Sequence, residues 1–169
     1  MAETIEIVRA MWTQVPATYH GKYYHIENTK CVPQPDPMIP IMVGSNGTKA
    51  LKVVAGLADM WTWGGPYEEW FVPKYEQLRR NCDEVGRDVK EITPCIEFSV
   101  EFPDDPKSFV QPWEDGKNFN YVLGPTPMDA IEQLRPYVEF GVRHFPLTLD
   151  PPTLERFCAE VIPAFADRP

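Results

Sequence analysis

Short apolar runs alternate with amphipathic segments over the last three quarters of the chain. The runs that we predict as strands are residues 39–43, 58–63, 91–101 and 142–149. Segments with helical spacing follow them, at 47–57, about 67–85, 127–140 and 153–165. Short strands that are apolar throughout are typical of parallel sheets, because both faces of such sheets are covered. The repeated order therefore predicts an α/β fold of parallel strands with outer helices.

Two stretches depart from this alternation. Residues 15–38 contain β-rich runs around a Gly-Lys pair and then a proline-rich segment, which predicts a hairpin and loop excursion. Residues 102–120 have no clear period, so we expect a long loop there. Residues 3–13 carry apolar side chains at helical spacing and predict an amphipathic helix. We expect residues 1–169 to form a single domain.

Charge and composition exclude several classes of function. The net charge is −9 without a Lys/Arg cluster, which argues against binding to nucleic acids or anionic membranes. No apolar run approaches the ~18 residues of a membrane span, and the first residues do not resemble a secretory signal. A cytoplasmic protein is the expectation. The four cysteines form no CxxC motif and lie at no ligand spacing from histidine, so no metal site is predicted.

The turn between the first apolar run and its helix is rich in hydrogen-bond donors. It reads Gly44-Ser45-Asn46-Gly47-Thr48. A helix N-terminus offers unpaired N–H groups and partial positive charge, which suit a phosphate. The two glycines permit close backbone approach and positive φ. The alternative is an ordinary strand-to-helix turn, with Ser45 or Asn46 as the helix N-cap.

Two further residues are weaker candidates for a substrate pocket. Trp63 ends the run at 58–63, where it either lines a pocket or packs in the core. Glu97 shares one face of the run at 91–101 with Ser99 and Glu101. A carboxylate facing a barrel interior is costly without a partner, so this face either serves a site or lies in solvent. The sequence assigns no catalytic residue, and the three histidines are interpreted as structural or exposed.

Five segments together resemble the C-terminal half of bacterial luciferase-like monooxygenases, and their closer likeness is to the deazaflavin (F420)-dependent branch. They occur in the family's order: TIEIVRAMWT, TYHGKYYHIEN, IPIMVGSNGTKALKVVAGLADMW, YEQLRRNCDEVGRD and LGPTPMDAIEQLRPYVEFGVRHFPL. Members of this family are (β/α)8 barrels of roughly 250 residues or more. The resemblance therefore implies a partial TIM barrel, which matches strands five to eight and lacks the first four.

The resemblance also implies an activity. Family members are oxidoreductases or monooxygenases that use F420 or FMN on small-molecule substrates. In them the loop matching residues 44–48 contacts the cofactor phosphate, and the acidic residue matching Asp59 binds backbone at the start of a strand. A half barrel would need completion by a second copy, as a homodimer, or by a complementary N-terminal half-barrel chain. The alternative is a non-catalytic truncated paralogue or fragment that only binds ligand or dimerises.

Overall fold

The structure is a computed structural model that describes residues 1–113 and 121–166. The helices are α1 (Ala2–Thr13), α2 (Thr48–Leu57), α3 (Val72–Val85), α4 (Pro127–Phe140) and α5 (Pro151–Arg156). The strands are β1 (Ala17–His20), β2 (His25–Thr29), β3 (Met42–Gly44), β4 (Met60–Trp63), β5 (Thr93–Ile96), β6 (Phe98–Val100), β7 (Val122–Leu123) and β8 (Leu147–Thr148). In the described part of the chain no helix is long and apolar enough to cross a membrane.

The chain divides into two compact units. The first contains Met1–Trp61 and Gln77–Thr93, and the second contains Thr62–Glu76 and the described residues of Pro94–Pro169. The unit boundaries fall within β4, α3 and β5. The predicted hairpin is confirmed in the first unit, where β1 and β2 pair antiparallel.

Asp59, immediately before β4, joins four elements of the first unit. Its carboxylate accepts hydrogen bonds from Arg9 of α1 at 2.8 and 2.9 Å. The same carboxylate accepts the Ile41 N–H at 2.8 Å. The Asp59 N–H donates to the Ile41 carbonyl, and the Asp59 carbonyl accepts the Thr93 N–H at the start of β5. The expected structural role of Asp59 is therefore confirmed.

The ionisation of Asp59 reflects these contacts. Burial by itself would raise the pKa of this carboxyl. The hydrogen bonds from Ile41 and Arg9 stabilise the charged form more strongly, so the pKa lies below its usual value. Asp59 is consequently a carboxylate at neutral pH, and its charge contributes to the stability of the folded state.

Two arginines donate hydrogen bonds to carbonyl groups at the C-terminal end of α2, which has no glycine cap. Arg87 donates to the carbonyls of Ala55 and Ala58 at 3.1 and 2.8 Å. Arg9 donates to the Leu57 carbonyl at 3.0 Å. The last carbonyls of a helix have no partner within the helix and carry partial negative charge, so cationic donors suit them.

The second unit contains a parallel sheet in the order β7-β6-β8. The central strand β6 is separated from β5 by one residue, Glu97. The prediction of one strand over 91–101 is therefore wrong in detail, since β5 pairs with β4 whereas β6 pairs with β7 and β8. The predicted α/β organisation with parallel strands is confirmed.

The fourth predicted strand is shorter than expected, and one strand was not predicted. Of residues 142–149 only β8 is a strand, preceded by an isolated bridge between His144 and Cys95. Pro146 lacks an N–H and contributes only its carbonyl, which accepts the Phe98 N–H. Strand β7 has two residues, too few for a periodic pattern.

Helix α4 agrees with its sequence signals. Thr126 and Asp129 form a capping box, and Pro127 occupies the first turn. Gly141 ends the helix in the left-handed conformation, with φ of 111°. The long helix predicted over 67–85 instead begins with a π-helical turn, Tyr67–Phe71, before α3.

Gly65 fixes the position of that π-helical turn. Its φ is +152°, and an added Cβ would lie 2.7 Å from Cδ1 of Trp70. Its carbonyl accepts a hydrogen bond from the hydroxyl of Tyr137, a buried residue of α4. Burial raises the pKa of Tyr137 well above its usual value, so the hydroxyl remains a donor.

We expect Asp59→Asn to reduce the free energy of unfolding by about 1–2 kcal/mol at pH 7, because a charge-assisted set of hydrogen bonds becomes neutral. The loss should shrink as pH falls from the usual aspartate pKa through the lowered folded value, since the wild-type carboxylate is then protonated. Urea unfolding followed by circular dichroism measures both effects. The control is Asp83→Asn, whose carboxylate makes an exposed i,i+4 pair with Arg79. Equal effects of the two substitutions would contradict the role of Asp59.

We expect Gly65→Ala to reduce the free energy of unfolding by at least about 1 kcal/mol, because the new Cβ meets Trp70 and an unfavourable φ. The matched substitution Gly56→Ala lies in α2 with nothing within 4 Å of the new Cβ. It should stabilise the protein by about 0.5–1 kcal/mol. Thermal and urea unfolding of both variants test this contrast. A neutral Gly65→Ala would show that Trp70 has room to move.

Candidate functional site

The loop at residues 44–48 lies in the first unit, between β3 and α2. Gly47 is the N-cap of α2, with φ −71° and ψ 142°, and no side chain caps the helix. The alternative that Ser45 or Asn46 is the N-cap is therefore wrong. Gly44 and Gly47 permit positive φ, but neither is among the positive-φ glycines of the described chain. An extended N-cap needs no such conformation.

Open donors remain at this helix N-terminus. The first intrahelical hydrogen bond runs from the Leu51 N–H to the Gly47 carbonyl, so the preceding N–H groups have no acceptor within the helix. Ser45 and Asn46 are half-buried, and Thr48 is exposed. An added Cβ on Gly47 would meet no atom within 4 Å, so the space beside this N-cap is open.

One contact fixes the backbone of this loop. The indole Nε1 of Trp61 donates to the Ser45 carbonyl at 2.6 Å. Trp61 is almost fully buried, and Val43 on β3 is buried as well. The loop is thus fastened at Ser45, two residues before the N-cap of α2.

Trp63 and Glu97 line one cavity of about 440 Å³ in the second unit. The other lining residues are Gly64, Phe98, Ser99, Tyr121 and Thr148. The Glu97 N–H donates to the Trp63 carbonyl at 3.3 Å, which places the ends of β4 and β5 side by side. Gly64 permits this approach, since an added Cβ would collide with the Glu97 carbonyl oxygen.

Side chains around β6 alternate between solvent and core. Glu97 and Glu101 are exposed, whereas Phe98 and Val100 are buried. The carboxylates therefore avoid the desolvation cost of a closed interior. Glu97 presents a charge at the rim of the cavity.

Sequence reasoning missed Tyr121 and Thr148 as lining residues. Tyr121 precedes the two-residue strand β7, and Thr148 ends the two-residue strand β8, so neither had a recognisable periodic context. Burial raises the pKa of Tyr121, and the nearby charge of Glu69 adds to this effect. The phenol is therefore a neutral hydrogen-bond donor at neutral pH.

Two of the histidines contact residues of neighbouring strands. The His20 ring lies 3.8 Å from the Glu27 carboxylate, and both side chains are largely exposed. The His144 carbonyl accepts the Ile96 N–H. Among the residues that the structure describes, no group of three or more His, Cys, Asp or Glu is placed to hold a metal ion.

A sequence model of luciferase-like monooxygenases matches residues 1–114. The chain belongs to the luciferase-like monooxygenase family. This membership confirms the resemblance on which the sequence interpretation depends.

Individual luciferase-like proteins extend the comparison. The chain is 21% identical to an F420-dependent glucose-6-phosphate dehydrogenase of Nakamurella multipartita, over 85% of this chain and 52% of that protein. A coenzyme F420-dependent tetrahydromethanopterin reductase from Methanopyrus kandleri superposes with a TM-score of 0.75 at 16% identity, covering 96% of this chain and 62% of that one. A riboflavin lyase structure with modified FMN has a TM-score of 0.66 at 13% identity, covering 89% and 48%.

These comparisons establish the fold and the cofactor classes of the relatives. The structural matches support an α/β fold like that of luciferase-like barrel enzymes. The relatives named above depend on F420 or contain FMN. The chain spans about half the length of the Nakamurella protein.

We expect Glu97→Ala to change the free energy of unfolding by less than about 0.5 kcal/mol, because the side chain is exposed. The adjacent substitution Phe98→Ala should cost about 3–5 kcal/mol, because Phe98 is 1% exposed and packs in the core. Denaturant unfolding measures both. A large loss of stability in Glu97→Ala would contradict the alternation and assign Glu97 a structural role.

Proposed function

We propose that this chain forms part of an F420- or FMN-dependent oxidoreductase or monooxygenase, in which it supplies the cofactor-phosphate loop and part of the substrate pocket. The observation that carries the proposal is the open N-terminus of α2. There Gly47 caps the helix without a side-chain hydrogen bond, and Ser45 and Thr48 are close to it in the sequence. Membership of the luciferase-like family and the cofactors of the relatives support it.

The residues at this loop suit a phosphate. The N–H groups of the first turn of α2 point out of the helix end, where its partial positive charge is greatest. Ser45 and Thr48 add neutral donors, Asn46 adds an amide, and Gly44 and Gly47 leave the backbone uncovered. The loop would hold the cofactor by its phosphate, and the bound cofactor would supply the redox chemistry.

The cavity beside Trp63 and Glu97 is the proposed contribution to the substrate pocket. It combines an indole with a carboxylate at the rim and a neutral phenol, Tyr121. Ser99 and Thr148 add further polar groups beside the aromatic surface, so the cavity suits a small molecule that has both apolar and polar parts. Trp63 would bind an apolar part of the substrate, and Glu97 would orient a donor group.

We propose that the chain acts as a single domain within a completed barrel. Strand β8 lies at the edge of the β7-β6-β8 sheet and β3 at the edge of the order β3-β4-β5. Edge strands retain backbone groups that can pair with another chain. The proposed partner is a second copy of this chain or a complementary N-terminal half barrel. The net charge supports neither nucleic acid nor anionic membrane as a partner.

The mass of the purified chain in solution, with and without FMN or F420, tests this function. We expect a dimer that binds one of the two cofactors. Replacing both Ser45 and Thr48 with alanine should weaken binding about tenfold or more, because hydrogen bonds to a charged group are lost. Light scattering gives the mass, and cofactor fluorescence gives the affinity.

The control is Thr13→Ala, which removes an exposed hydroxyl that bonds only within α1. It should leave cofactor affinity unchanged. A chain that dimerises but binds neither cofactor would contradict the enzyme proposal and support a non-catalytic role. Cofactor binding that survives the double substitution would contradict the phosphate assignment of the loop.

A further inference from the structure

Two of the three histidines of the chain face each other across the hairpin. His20 of β1 and His25 of β2 are directly opposite partners in the antiparallel register. Their ring centroids are 5.8 Å apart, and the ring planes are at 67°. Both residues are exposed. Their spacing along the chain does not suit one face of a helix, so the sequence predicts no metal site there, and only the strand pairing brings the two imidazoles together.

The two histidines lie on the solvent-exposed face of the hairpin. Successive side chains of a strand point to opposite faces, so the adjacent pair of Tyr19 and Ile26 occupies the other face. Tyr19 and Ile26 are half-buried, and the Tyr19 hydroxyl donates to the Glu6 carboxylate of α1. The face that carries His20 and His25 is therefore the one open to solvent, where an ion can reach both rings.

The turn that joins the two histidines is held by helix α1. The Glu3 carboxylate accepts the N–H groups of Lys22, Tyr23 and Tyr24 at 3.0, 2.9 and 2.9 Å. The Gly21 N–H donates to the Tyr24 carbonyl at 2.9 Å. The backbone between the two histidines thus has a fixed position before any ligand arrives, so a binding event does not have to order it.

The geometry of the pair fits a shared metal ion. Two imidazoles that coordinate one ion through bonds of about 2.0–2.1 Å, at a tetrahedral angle, have ring centroids about 5 Å apart. The observed separation of 5.8 Å is close to this value, and the exposed side chains can rotate to close the difference. In the described part of the chain no group of three or more His, Cys, Asp or Glu is placed to hold an ion, so water would complete the coordination of the pair.

Carboxylates are near both rings. Oε1 of Glu27 is 3.8 Å from Nε2 of His20. The Glu3 carboxylate is close enough to His25 for the two groups to interact electrostatically. The ammonium group of Lys22 lies over the ring of the next residue, 5.2 Å from its centroid. The two carboxylates therefore offset part of the charge of a cation that binds between the imidazoles.

We propose that His20 and His25 together bind one divalent transition-metal ion of the zinc, copper or nickel group, across the two strands of the hairpin. Imidazole nitrogen is a preferred ligand of these ions, whereas Mg²⁺ and Ca²⁺ take oxygen ligands. A shared ion would join β1 to β2 and oppose their separation. This proposal does not rest on the proposed redox function, because it uses neither residues 44–48 nor the cavity beside Trp63 and Glu97.

The test adds Zn²⁺ to the full chain and follows the imidazole ¹⁵N signals in NMR spectra, each assigned by substitution. We expect the signals of His20 and His25 to shift together and saturably, and that of His144 to stay unchanged. His20→Asn and His25→Asn should each weaken Zn²⁺ binding about tenfold or more, because one of the two protein ligands is lost. Mg²⁺ should shift none of the three signals, because it prefers oxygen ligands.

His144→Asn is the matched control, since His144 is also exposed and belongs to the second unit. This variant should bind Zn²⁺ as the wild type does. Cys31→Ser is a second control, because the half-buried Cys31 thiol follows β2 closely in the sequence and is a competing zinc ligand. Absence of a saturable shift, wild-type affinity in His25→Asn, or loss of binding in Cys31→Ser would overturn the proposal.

Discussion

The first unit depends on one partly buried carboxylate. Asp59 receives two hydrogen bonds from Arg9 and one from the Ile41 N–H, and its own backbone bonds to Ile41 and Thr93. A charged group removed from water must be compensated by several donors. Helix α1 and the segment before β3, which supply those donors, are therefore held beside β5, whose Thr93 N–H reaches the Asp59 carbonyl. Arg9 performs two tasks, because it also binds the last turn of α2.

The second unit depends instead on close backbone approach and aromatic packing. The buried Tyr137 ring lies near the rings of Tyr67, Phe71 and Phe98, at centroid distances of 5.0, 5.4 and 5.4 Å. Its hydroxyl donates a hydrogen bond to the Gly65 carbonyl. Tyr137 thus satisfies its polar atom while its ring fills the core, which is the usual requirement for a buried tyrosine. Phe98, which packs against Tyr137, and Gly64, which precedes Gly65, also line the cavity that contains Trp63 and Glu97.

Sequence reasoning succeeded where a pattern was long or a cap was explicit. Helix α4 occupies the predicted range 127–140, between the capping residue Thr126 and Gly141. The backbone-binding role of Asp59 came from the resemblance to the family. Sequence reasoning failed where an element was set by contacts distant in sequence. The two-residue strands β7 and β8 exist only through pairing with β6, and residues 91–101 split because their two halves have different partners. Gly44 and Gly47 do not use the positive φ that glycine permits, and the N-cap Gly47 is extended. Part of the predicted long loop, residues 114–120, lies outside the described residues.

The hydrogen bond from the Trp61 indole to the Ser45 carbonyl has a consequence for any anion that binds at α2. Ordering a flexible loop opposes binding, because conformational entropy is lost at the moment of association. Here the buried Trp61 already holds the loop backbone at Ser45 in the folded protein. The conformational entropy of that part of the loop is therefore lost on folding and not again when an anion binds. The free energy of the contacts at the helix end is then available for affinity, and the association rate is not limited by rearrangement of the loop backbone at Ser45.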